Sequence, residues 1–168
     1  MSKFLAKIPG EQSWREVELT TYRELDEFVG GRADVIPLSM GINLYMNDGL
    51  ITKIESQPFN FCLSLNSYVS PIYGNVVVAS EGESDDIVPL NQEQTKHLYA
   101  SSHAMTLPSG LKIMHLCPSG FRLEHIEPLR MLGEVLRETV TTNNQVSDSD
   151  FVAAWTGEGN NNHESNWK

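Results

Sequence analysis

Short runs of alternating apolar and polar residues, each closed by a turn-forming pair, fill the first half of the chain and limit its possible folds more than any other feature. Lys3 to Ile8 places Phe4, Ala6 and Ile8 on one face of an extended segment. Pro9-Gly10 supplies turn chemistry and Trp14 to Leu19 alternates back, which predicts an opening β-hairpin. Ala33 to Leu38 and Ile42 to Met46 are two more extended segments, with only Ser39-Met40-Gly41 between them. Asn47-Asp48-Gly49 carries residue types that tolerate left-handed backbone, and Leu50 to Ile54 follows as a return strand. Links this short join antiparallel neighbours, because a parallel crossover consumes about a dozen residues or more. The expected fold class is therefore α+β: a mainly antiparallel twisted sheet of short strands with two or three packed helices.

The helices announce themselves through their ends. Thr21 followed by Glu24 has the spacing of a capping box, Leu25 and Phe28 share a face, and Gly30-Gly31 provides a left-handed stop. Asn91 is a candidate N-cap for a helix over Gln92 to Tyr99, with Glu93 favouring its positive end. Glu127 to Val140 carries Leu129, Leu132, Leu136 and Val140 in one stripe, and Ser147-Asp148 can cap a last turn through Trp155. Between these lie further extended pieces. Pro58 to Leu65 alternates like a strand but also fits a helical turn; Tyr73 to Ala79 contains a β-branched run; Ile87 to Leu90 and Leu111 to Leu116 are shorter. Gly74, at the entry to the β-branched run, marks a bulge or a close backbone approach.

Chemistry is harder to find. The chain has 168 residues, enough to bury a core without disulfides or metal. No apolar run approaches a bilayer span of about 18 residues, and the N-terminus is too polar for a signal peptide, so an intracellular protein with no membrane segment is expected. The net charge is −10, spread evenly: residues 1–84 and 85–168 each hold 11 acids and 6 bases. A field of that sign repels phosphate backbones and argues against direct nucleic-acid binding, while leaving an acidic surface for a basic protein. Glu81, Glu83, Asp85 and Asp86 form the one dense acidic stretch, which reads as a solvated loop. Cys62 and Cys117 belong to no CxxC pair and are expected to be reduced and buried. His97, His103, His115 and Cys117 are soft or borderline ligands within one stretch, but their spacing is not that of a zinc finger, and His115 with Cys117 suits the core face of a strand. The sequence carries no HExxH, Gly-x-Ser-x-Gly, phosphate-loop or kinase-like signature, and nothing in it calls for a cofactor.

Three stretches carry a resemblance. Phe28-Val29-Gly30-Gly31-Arg32-Ala33-Asp34-Val35-Ile36-Pro37-Leu38, then Leu44-Tyr45-Met46-Asn47-Asp48-Gly49, then Ile72-Tyr73-Gly74-Asn75-Val76-Val77-Val78 together resemble the small domain of unknown function 3846. That family is found mostly on phages, prophages and plasmids. The resemblance runs from about Trp14 to Leu98, and Asn60, two positions after Pro58, falls near an asparagine usual in the family. Gly49-Leu50 replaces a charged position, Phe61 to Pro71 is hard to align with the family's shorter link, and Ser101 to Trp155 matches nothing in it. The organisation expected is one α+β domain over 1–156, a family-like unit at 14–98 with a C-terminal extension at 100–156 packed on it, and a disordered tail at 157–168.

The resemblance implies a mobile-element setting rather than an activity. The expectation is a non-catalytic accessory protein in the cytoplasm of the host cell that binds a host protein or a small nucleotide, with counter-defence as one setting. Asn47, Asp48, Asn60, Gly74 and Asn75 are the candidate ligand-binding residues, each of which also reads as a turn, a cap or a satisfied buried amide. Two alternatives stay open: a nucleotide- or nucleic-acid-processing enzyme, and an acidic mimic of nucleic acid whose carboxylates stand in for phosphates.

Overall fold

The structure is a computed structural model that describes residues 2–48, 57–66, 68–83, 86–106, 112–120 and 122–128. The segments expected at Leu50 to Ile54, Ser147 to Trp155 and 157–168, and all but the first two residues of Glu127 to Val140, lie outside the described residues. The fold is α+β, with mostly antiparallel strands in two sheets rather than the single sheet expected. The chain divides into two compact units, Met1–Asn60 with Ile72–Ala100 and Phe61–Pro71 with Ser101–Lys168.

In the first unit, β1 (Ser2–Lys7) and β2 (Arg15–Leu19) form the expected hairpin, with Phe4 opposite Val17. Helix α1 (Tyr22–Val29) begins at Thr21, whose hydroxyl accepts from Glu24 N while the Glu24 carboxylate accepts from Thr21 N. It ends at Gly30 with φ 85°, where glycine alone avoids a Cβ penalty. After β3 (Ala33–Pro37), a single 3-10 turn at Ser39–Gly41 leads into β4 (Ile42–Asn47). In chain order β5 (Phe59–Leu65) and β6 (Tyr68–Tyr73) come next, then β7 (Val76–Ser80). The first sheet has the order β2-β1-β7-β4-β3, with every neighbouring pair antiparallel.

Leu25 and Val29 of α1 pack with Phe4, Ala6, Leu19, Val77 and Ala79 on one face of this sheet. The alternate residues Val76 and Val78 of β7, with Ile42 and Leu44 of β4, are buried as well. A strand buried on both faces reads as a continuous apolar run, which explains Val76-Val77-Val78. The segment expected as one strand from Tyr73 to Ala79 is broken by Gly74, whose φ of 70° turns the chain between β6 and β7. Helix α2 (Gln92–Ala100) starts from Asn91, whose Oδ1 accepts from Gln94 N while Gln94 Oε1 accepts from Asn91 N. The Gln94 Nε2 donates to Met40 O, Gly41 O and Ser80 Oγ, tying the helix start to the 3-10 turn and the end of β7.

The second unit is built on a sheet of order β6-β5-β9-β8. Strands β8 (Ser102–Thr106) and β9 (Lys112–Leu116) pair antiparallel, and β5 resolves the ambiguity of Pro58 to Leu65 by pairing with β9 in parallel. A short 3-10 turn follows at Leu123–His125. Among the described residues no helix is long and apolar enough to cross a membrane.

Candidate functional site

The candidate residues converge on the C-terminal end of α1, and a lysine joins them. Strand alternation puts Lys7 on the face of β1 opposite Phe4 and Ala6, beside Lys3 and Leu5. Lys3 is exposed and ion-paired with Glu16, whereas Lys7 is 1% exposed. Its Nζ donates to Asn60 Oδ1 at 3.0 Å and to Ile8 O at 3.2 Å. Among the described residues these are neutral acceptors, and no carboxylate lies within ion-pair distance of it. Burial therefore pushes the Lys7 ammonium from 10.5 down to about 8, against a smaller upward pull from Glu11.

Asn60 is the hub. Its Oδ1 accepts from Lys7 Nζ, and its Nδ2 donates to Lys7 O at 2.9 Å and to Gly74 O at 2.7 Å. The side chain thereby ties the end of β1 to β5 and to the turn before β7, satisfying a buried amide completely on its donor side. Gly74 donates its own N–H to Pro58 O at 2.8 Å. A Cβ on it would stand 3.0 Å from Gln57 Oε1, so what approaches Gly74 is a side-chain amide and not the backbone that the sequence reading expected.

The other candidates serve the helix end. The last carbonyls of a helix lack intrahelical partners. Here Asn75 Nδ2 donates to Phe28 O at 3.0 Å and Asn47 Nδ2 to Gly30 O at 3.0 Å. Gly31 admits this approach because a Cβ there would sit 2.9 Å from Asn47 Nδ2. The Asp48 N–H extends the β3–β4 ladder by donating to Arg32 O at 2.9 Å, and the residue is exposed. Asn47, Asn60, Gly74 and Asn75 are thus brought into one bonded neighbourhood, with Asp48 at its rim. Each amide works in turn, cap or core, the structural alternative already visible in the sequence. Lys7 and Gln57 were not foreseen. A lysine among alternating strand residues is ordinarily a solvent-facing one, so nothing local distinguishes Lys7 from Lys3.

The second unit holds a separate polar cluster. The parallel register sets Cys62 beside His115 and Leu63 beside Leu116. Ser64 Oγ lies 2.5 Å from His115 Nε2, and Cys117 Sγ lies 3.2 Å from the same nitrogen. His125 stands edge-on to His115 at 6.3 Å between centroids, its Nδ1 accepting from Arg122 N and its Nε2 bonded to Asn66 O. Burial pushes the His115 imidazole down to about 3, with His125 and His103 adding to the effect. Burial raises both thiols, Cys117 to about 12. Both thiols are therefore protonated at pH 7, the unreactive form of a cysteine, while the ring is neutral. Both cysteines are free and buried, as expected.

Of the metal-ligand alternative, His103 faces His115 across the β8–β9 ladder and Cys117 contacts His115, while His97 Nε2 is engaged by Ser39 Oγ at 2.7 Å. Among the described residues no group of three or more His, Cys, Asp or Glu side chains is placed to hold a metal ion.

Fold and sites together define a small α+β protein with an amide-rich helix end in one unit and a sealed Ser–His–Cys cluster in the other. A scan against protein-family models matches no family, and searches of curated proteins and of solved structures find no match.

Proposed function

We propose that this chain is a non-catalytic accessory protein of a phage or another mobile element, acting in the host cytoplasm by binding a host protein or a small nucleotide, in a setting such as counter-defence. The observation that carries this reading is the burial of its reactive groups. Ser64, His115 and Cys117 are each 1% exposed and Cys62 is 0% exposed, so they contribute to packing rather than meeting a dissolved substrate. The protonated thiols agree, since a cysteine attacks as its thiolate, and the neutral His115, the form that acts as a base, is itself only 1% exposed. The mobile-element setting rests on the resemblance of the three stretches around Gly30, Asn47 and Gly74.

The surface favours a protein partner with a basic face. In the first unit the exposed bases Lys3, Arg15 and Arg23 are held by Glu16, Glu11 and Glu27, and Arg32 and Lys96 are exposed as well. The carboxyl-bearing residues Glu18, Glu24, Asp34, Asp48, Glu83 and Glu93 of the same unit are exposed too. Such a field speeds encounter with positive surfaces and fades as salt rises. For a nucleotide, the half-buried amides of Asn47 and Asn75 at the end of α1 are the groups to probe.

The test is native mass spectrometry of the protein purified from its host, run beside a turnover assay on a nucleotide panel. A stoichiometric protein or nucleotide complex without turnover is the expected result. Sustained turnover of any nucleotide at catalytic protein concentration overturns the reading.

A further inference from the structure

We infer that β3 is a closed edge: every outward N–H position along it is occupied by a carboxylate of this chain or removed by proline, so that a second copy of the chain cannot add to the sheet there. Among the described residues strand β3 is one border of the first sheet, paired only with β4. The ladder itself shows which groups face outward. Leu38 N donates to Ile42 O at 2.7 Å and Asp48 N to Arg32 O at 2.9 Å, so the even-numbered residues of the segment exchange hydrogen bonds with β4. In an antiparallel pair the intervening residues turn their N–H and C=O groups away. On β3 these are Ala33, Val35 and Pro37.

All three donor positions are closed. Ala33 N donates to Asp26 Oδ1 at 2.8 Å, from a carboxylate carried on α1. Val35 N donates to Asp34 Oδ1 at 2.8 Å, from the preceding side chain. Pro37 has no N–H. An incoming strand needs alternating donors and acceptors, and this edge offers it acceptors alone. It would also have to displace two charged acceptors and bring its own carbonyls against them. Exposed edges are the usual route to sheet-to-sheet association, and charges and proline are the usual obstacles. Val35 is 43% exposed on this edge, a side chain that would otherwise favour pairing. The second copy is the relevant occupant because an edge that is open on one chain is open on all, and two such edges can pair antiparallel.

The experiment compares the full chain with the variant Asp26→Ala/Asp34→Ala/Pro37→Val by sedimentation velocity over a concentration series. The expected result is self-association of the variant at a concentration at least about tenfold below that of the parent, the equivalent of one net charge-assisted hydrogen bond. A folded variant that sediments like the parent throughout overturns the inference. Because losing Asp26 from α1 can compromise folding, Asp34→Ala alone is read by hydrogen exchange. The Val35 amide should then exchange at least about tenfold faster while that of Ile36, which bonds to β4, is unchanged. An unaltered Val35 rate equally overturns the inference.

Discussion

Lys7 makes the most demanding test of the physical account. In the unfolded chain its ammonium ionises with an ordinary value of 10.5, whereas burial in the folded protein holds it at about 8. Below pH 8 both states carry the proton and folding bears the whole cost of desolvating the charge. The separation corresponds to about 3 kcal/mol at 1.36 kcal/mol per unit. Between pH 8 and 10.5 the folded protein sheds its proton while the unfolded chain keeps it, so stability contributed by this group rises with pH, by at most about 1.4 kcal/mol per unit. Above 10.5 both are neutral and the cost is gone. Lys7→Met removes the titration but leaves Asn60 Oδ1 without its donor, a pH-independent loss of about 1–3 kcal/mol. Urea unfolding of parent and variant, followed by circular dichroism at half-unit steps from pH 7 to 10.5, isolates the term, because other titrating groups are common to both. The parent should gain about 3 kcal/mol on Lys7→Met across that window. A difference that stays flat refutes the claim that the buried ammonium is desolvated and without a compensating charge.

Other outcomes follow from the same geometry. Gly74→Ala should cost about 1–2 kcal/mol in urea unfolding, from left-handed strain plus the small shift it asks of the Gln57 side-chain end, while Gly10→Ala, also left-handed but in open space, should cost about 1 kcal/mol. Thr21→Ala removes the capping-box hydroxyl of α1 and should cost about 1 kcal/mol by the same measurement. His115, held down to about 3, should remain neutral in the folded protein while the unfolded chain protonates near 6.5. Stability from this ring is therefore lost as pH falls through that interval, and His115→Phe should flatten the acid limb of a stability–pH profile; an unchanged limb counts against burial as the cause. Cys62 and Cys117 should resist a thiol reagent in the native protein and react on unfolding, since burial both screens them and raises their ionisation.

What the sequence alone determined was whatever depends on neighbours along the chain. The box at Thr21 and Glu24, the stop at Gly30, the cap at Asn91 and the hairpin across Pro9-Gly10 need only residues within a few positions, and all stand as read. The amides at Asn47, Asn60 and Asn75 could be picked out as turn- and cap-forming types, but not their acceptors, because Phe28 O, Gly30 O and Gly74 O are supplied from 14 to 47 positions away. Only the tertiary structure decided that β7 inserts between β1 and β4, that β5 pairs in parallel with β9, and that Asp26 of α1 seals the first donor of β3. It alone also separated Lys7 from Lys3, two lysines on the same strand face, leaving one in water and burying the other. The reason is physical: capping and turn energies are local and belong to residue types, whereas burial and strand order come from packing the whole chain, so the same side chain takes opposite roles according to what the fold lays over it.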